Sequence, residues 1–242
     1  MENTEKTENT KDQLVEDLKE IRKKISKLET VQIKNGKIKE ELNQSYKKLN
    51  EIMEDIVSII TKVAEMRDPY LRGHQKRVSK LATAIAQEMT LTRDKIEGIK
   101  FAALVHDAGR FNWPTKIVNN KDQLAEEEHE FIKNHPKISY YILKTVNFPW
   151  SIAEIAYQHH EKLDGSGYPK GLKDGEILME AKIIAVADTV EAMSSKRSYR
   201  PSYSIKEVLE EISKNRGILY EPEVVDACLR LFQEKHFQFN EE

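Results

Sequence analysis

Two short pairs in this sequence, His106-Asp107 and His159-His160, set imidazole and carboxylate groups at the ends of apolar runs. His106 and Asp107 follow FAALV and precede Gly109, which reads as the end of a buried helix. Alone, such a pair fits a histidine placed against a helix dipole. His159 and His160 close the stretch IAEIAYQHH. Two imidazoles in a half-buried region are costly unless both find partners, and exposure at a helix end is the alternative for that pair by itself. His74, after the Asp68-Pro69 turn, and His135, directly before Pro136, add two more rings. Asp188 stands among the apolar residues of IIAVADTVEAM, where a buried carboxylate calls for a cation.

Five imidazoles and two carboxylates exceed what one tetrahedral zinc takes. His74, His106, Asp107, His135, His159, His160 and Asp188 suit two divalent cations in nearly octahedral nitrogen and oxygen coordination, with Asp107 as the bridge. Cys228 is the one cysteine, so there is neither a thiolate cage nor an internal disulfide. Donors without sulfur point to iron or manganese, with nickel, cobalt or zinc as substitutes in vitro. The remaining two of the seven histidines, His129 and His236, lack such company and read as surface residues.

The elements that must hold these groups read as helices. The first proline is Pro69, and Gly36 is the one glycine before it. Leu14, Leu18, Ile21, Ile25 and Leu28 form a heptad seam, and Leu42, Tyr46, Leu49, Met53, Ile56, Ile60 and Val63 form a second. Asn35-Gly36 between them reads as a breaker. The seams pair with a second chain as a coiled coil or fold back as a helical hairpin, and their narrowness favours a homodimer. A solvated helix lying on the rest of the protein is the third reading. Beyond Pro69 the spacing predicts shorter helices, with Thr92 capping one and Ser204 and Glu207 forming a capping box on another. Helical stretches are expected at 125–145 (broken at Pro136), 150–160, 180–193, 205–214 and 222–233, with functional loops at Gly109–Pro114 and Glu161–Gly175. No run alternates like a strand. The expected fold is all-α: a helical bundle with the metal site in its core, preceded by long N-terminal helices. Its divisions are a disordered N-terminus at 1–10, a helical segment at 11–49, the main domain at 50–236 and a tail at 237–242.

Composition narrows the function. The chain has 242 residues, and 39 Lys+Arg against 41 Asp+Glu give a net charge of -2, without the basic excess that DNA binding needs. No apolar run is long enough for a membrane span, and MENTEKTENT lacks the charged-then-apolar pattern of a signal segment. A cytoplasmic address is expected.

The string HHEKLDGSGYPKGL, residues 159 to 172, resembles the HHExxDGxGYP element of the HD-GYP family, a bacterial branch of the HD-domain phosphohydrolases. RDPYLRGHQKRV, LVHDAGR, QLAEEEHEFIKNHP and IIAVADTVEAMSSKRSYR resemble the family's other ligand segments in order and spacing, over residues 50 to 232. The resemblance implies metal-dependent hydrolysis of cyclic di-GMP to linear pGpG, and in some members on to GMP. A hydroxide bridging two cations would attack phosphorus in line. It also implies that Arg197 and Arg200 clamp phosphates, that Gly167 and Tyr168 hold the ligand from the loop with Lys170 assisting, and that Glu191 meets a guanine edge.

Two positions depart from the family pattern. The family's HDxGK segment here carries Arg110, a planar fork where a lysine usually offers a point charge as a catalytic residue. Tyr70 stands where members with three metals use a glutamate, which implies two metals and a stop at pGpG, with Asp68 close enough to compensate. A cyclic di-GMP receptor with little turnover, or a hydrolase of another cyclic dinucleotide, are the alternatives.

Overall fold

The computed structural model describes residues 2–68, 71–118, 125–195 and 202–239, with side chains from residue 14 onward except 115–116. Its helices are α1 (Glu2–Arg67), α2 (His74–Glu88), α3 (Arg93–Val105), α4 (Thr115–Val118), α5 (Glu126–Ile132), α6 (His135–Leu143), α7 (Ile152–Gln158), α8 (Met179–Ser194), α9 (Ile205–Lys214) and α10 (Pro222–Gln233). A 3-10 turn, Ala108–Asn112, follows α3. No strand occurs among the described residues, so the all-α expectation holds. The chain divides into two compact units, residues 1–54 and 55–242.

The described residues of the first unit all lie within α1, which runs through Asn35-Gly36 without a break. The hairpin is therefore corrected. A glycine inside a helix costs only about 1 kcal/mol, too little to stop one rich in Lys and Glu. The helix also takes in residues 2–10, expected as disordered. The seam residues Leu14, Leu18, Ile21, Ile25 and Leu28 are exposed in the single chain.

In the second unit the last turns of α1 bury Val57, Thr61 and Ala64, while the seam positions Ile56, Ile60 and Val63 stay exposed. The buried stripe is offset by one position from the predicted seam. α2 packs on α3 and α8 through Val78, Leu81, Ala82 and Ile85, all fully buried. α10 covers the far side with Val224, Val225 and Cys228. α8 is buried over most of its surface, as the run IIAVA predicts. The expected break at Pro136 falls just earlier, at Lys133 and Asn134, because proline suits the first turn of α6. Thr92 and Ser204 cap their helices as predicted. Phe237 and Phe239 pack on Phe232, so the fold runs on past residue 236. His129 and His236 are exposed. No described helix is long and apolar enough to cross a membrane.

Candidate metal centre

Helix ends deliver the ligands. His74 opens α2 behind Gly73, whose φ of 67° is left-handed. His106 and Asp107 follow α3, His135 opens α6, His159 caps α7 and His160 comes next. Asp188 alone projects from mid-helix, on α8. All seven predicted ligands come together.

Asp107 sits between two groups of rings. Its Oδ2 lies 3.7 Å from His74 Nε2 and 3.6 Å from His106 Nε2. Its Oδ1 lies 3.1 Å from His135 Nε2 and 3.9 Å from His159 Nε2. Asp188 Oδ1 is 3.3 Å from His74 Nε2. Three sets of donors each converge closely enough to hold an ion: His74 with His106 and Asp188, His135 with His159 and His160, and His106 with Asp107 and His159. His106 Nε2 is buried with no hydrogen-bond partner, which is expensive unless a cation occupies its lone pair. The residues fit divalent metal ions.

The outward nitrogens of four rings are already engaged, that of His74 by Glu191. Nδ1 of His106, His135 and His159 bonds the carbonyl oxygens of Ala103 (2.7 Å), Ile132 (2.8 Å) and Ala156 (2.7 Å). These bonds turn Nε2 inward and fix the tautomer. Burial, reinforced by neighbouring rings, holds His159 and His160 well below the usual imidazole range. They are neutral, the form that binds metal. Burial alone would raise the Asp107 carboxyl, but the positive fields of His106 and Arg110 and the bond from His135 hold it well below its ordinary range. Burial would lower His74, yet the bond to and charge of Glu191, with Asp188 and Asp107, raise it.

Glu191 departs from its expected role at a guanine edge. It is buried, it pairs with His74 Nδ1, and it accepts hydrogen bonds from Arg77 Nε at 2.7 Å and Ser195 Oγ at 2.7 Å. Burial would raise its carboxyl, but these bonds pull it down to about 2. Arg110 is committed as well. Its guanidinium donates to Asp107 Oδ2 at 3.0 Å and to Asp68 Oδ2 at 2.6 Å, and lies 4.3 Å from the Trp113 ring. In this geometry Arg110 braces the Asp107 carboxylate instead of reaching outward for a phosphate, and Asp68 serves as its counter-ion.

The predicted loop at 161–175 is built around a residue that sequence reasoning passed over. Buried Glu161 accepts hydrogen bonds from the backbone of Lys170 at 2.7 Å and Leu172 at 2.9 Å. Gly167 is required by packing: a Cβ there would stand 2.4 Å from Lys162 N and 2.5 Å from Glu161 Cα. The close approach at Gly167 is thus to the loop's own backbone. Tyr168 lies 4.8 Å from the His160 ring, and exposed Lys170 has its ammonium 5.4 Å from the Tyr157 ring. Arg197, Arg200 and Tyr70 lie outside the described residues. Glu161→Ala removes two charge-assisted bonds of roughly 1.5–3 kcal/mol each. It is expected to loosen the loop that carries Tyr168 and to lower the melting temperature, which a thermal melt followed by circular dichroism will read.

The HD domain family matches residues 58–224. With the HHExxDGxGYP loop in place beside the seven ligands, the chain belongs to the HD domain family, in its HD-GYP branch. It is 38% identical over 219 residues to a cyclic di-GMP phosphodiesterase of Thermotoga maritima, covering 90% of this chain and 57% of the relative. It is 33% identical over 190 residues to the 3'3'-cGAMP-specific phosphodiesterase 1 of Vibrio cholerae, covering 77% of this chain and 43% of the relative. The chain therefore spans about half the length of the curated relatives it matches. Among solved structures, the HD domain of the L. monocytogenes phosphodiesterase PgpH in complex with cyclic-di-AMP superposes with a TM-score of 0.54 at 22% identity, covering 74% of this chain and 99% of that one. That likeness is one of fold.

Proposed function

We propose that the protein is a phosphodiesterase that hydrolyses cyclic di-GMP to linear pGpG, with two divalent cations, iron or manganese, as cofactors. One observation carries this reading: the two oxygens of Asp107 face two separate groups of inward-turned Nε2 atoms. His74, His106, Asp188 and Asp107 Oδ2 would hold one ion, and His135, His159, His160 and Asp107 Oδ1 the other. Bound there, the pair supplies Lewis-acid stabilisation of charge on phosphorus and an activated water at neutral pH. The remaining work falls to the chain. Arg110, paired with Asp68, keeps Asp107 aligned. Tyr168 and Gly167 shape the wall on which the nucleotide rests, and Lys170, Arg197 and Arg200 supply positive charge for its phosphates. Tyr70, where a third-metal glutamate would stand, supports release at pGpG.

The relatives support a second reading. Their names specify cyclic di-GMP and 3'3'-cGAMP, which share the phosphodiester and differ in one base. The test is turnover by protein purified without oxygen and loaded with ferrous iron or manganese, given each dinucleotide, with products separated over time. Steady pGpG from cyclic di-GMP supports the first reading, and preference for the mixed dinucleotide supports the second. Binding without hydrolysis of either would make the protein a receptor.

A bacterial second messenger as substrate also puts the protein in the cytoplasm. The exposed seam from Leu14 to Leu28 is suited to a parallel partner helix, so we assign a homodimer. Sedimentation is expected to give twice the mass of one chain, and Leu18→Lys with Ile25→Lys to return it to a single chain.

A further inference from the structure

We infer that the two cation positions are unequal, and that Glu191 makes the His74 side the tighter of the two. This rests on the two-cation reading above. The donors differ in charge. On the His74 side stand Asp188 and Asp107 Oδ2, while His135, His159 and His160 share only Asp107 Oδ1.

The outer partners differ in the same sense. His135 and His159 lean on neutral carbonyl oxygens, whereas His74 leans on the carboxylate of Glu191. An anionic partner strengthens an imidazole as a ligand more than a carbonyl does. Glu191 cannot drift from this post: it is 1% exposed and also held by Arg77 and Ser195. Gly73 leaves room for the Arg77 guanidinium, since a Cβ there would lie 2.4 Å from its terminal nitrogen. Among the described residues two cationic side chains stand nearby, and each is matched. Arg77 faces Glu191, and Arg110 divides itself between Asp107 and Asp68. Asp188 meets no Lys or Arg among the described residues, and it faces His74 Nε2 at 3.3 Å.

The test titrates metal-free protein with manganese and follows free ion by electron paramagnetic resonance. Wild type is expected to bind in two phases. Glu191→Gln keeps the shape but removes the charge, and should weaken the first phase roughly 10–100-fold while leaving the second unchanged. Glu191→Asp keeps the charge beside Arg77 but withdraws it from His74, and should do the same. His160→Ala should lose the weaker phase and retain the tighter. A single uniform phase in wild type, a tight phase that survives both Glu191 variants, or its loss in His160→Ala would each overturn the inference. Circular dichroism checks folding; if Glu191→Gln unfolds, the Asp and His160→Ala arms decide. Turnover is measured separately on wild type with both phases filled. Failure to hydrolyse would remove the phosphodiesterase reading and leave the order of filling standing.

Discussion

Asp107→Asn is expected to lower turnover on the order of 10³-fold and to leave the protein able to hold only one manganese ion in place of two. The substitution keeps the shape of the side chain and exchanges one anionic oxygen for an amide nitrogen, which cannot ligate. Whichever way the amide turns, one group of rings loses its link: His74 and His106 at 3.7 and 3.6 Å, or His135 and His159 at 3.1 and 3.9 Å. Arg110 would remain paired with Asp68 through its bond of 2.6 Å, so the fold should survive with its helical content unchanged. What is lost is charge stabilisation of several kcal/mol at the reacting phosphorus. A loss of about 4 kcal/mol corresponds to a fall in kcat on the order of 10³-fold. Product separation over time reads the rate, and elemental analysis reads the metal content. A variant that keeps both ions and the wild-type rate would show that Asp107 is not the bridge. Affinity for the nucleotide should change little, because Tyr168 and the loop built on Glu161 are untouched.

The seven candidate ligands were legible in the sequence because each lies at a helix end or within an apolar helix, where its polarity needs an explanation. His159-His160 at the close of an apolar run and Asp188 inside IIAVADTVEAM were conspicuous for that reason. Helix boundaries were equally readable wherever a cap or a proline marked them, as at Thr92, Ser204 and Pro136. Partners far apart along the chain left no such trace. Glu191, one turn after Asp188, looks the same whether it meets a ligand or His74, which lies 117 positions away. Arg110 reads as a free cation until Asp68, 42 positions upstream, closes on it. Glu161 was hidden inside the motif itself, since its bonds to Lys170 and Leu172 exist only once the loop has folded back. α1 was misread for an energetic reason. Gly36 marks a local preference of about 1 kcal/mol, and the propensity of the long helix around it prevails.

Gly109→Ala is expected to damage the centre from a position that holds no ligand. A Cβ at residue 109 would stand 2.1 Å from the carbonyl oxygen of His135, 2.7 Å from Ser139 N and 3.0 Å from His135 C. These are backbone atoms of α6, which cannot rotate aside as a side chain would. The helix must retreat from the 3-10 turn, taking His135 with it and away from Asp107 Oδ1. The same movement strains a second tie. Ser139 Oγ accepts from Gly109 N at 2.8 Å and donates to His106 O at 2.7 Å, so it links the segments that carry His106 and His135. Overpacking of this kind costs about 1–3 kcal/mol, and a ligand displaced by about 1 Å costs on the order of 10²-fold in rate. The melting temperature of the metal-free protein should fall, and manganese should restore less of it than in wild type. Ser139→Ala separates the two causes. It removes the tie without the clash, leaving the buried Gly109 N–H unsatisfied at about 1–3 kcal/mol while α6 stays in place. Its stability should therefore fall comparably, but its kcat much less. If Gly109→Ala melts with wild type and binds both ions as tightly, the close seat of α6 on the turn is not what holds His135 against the bridge.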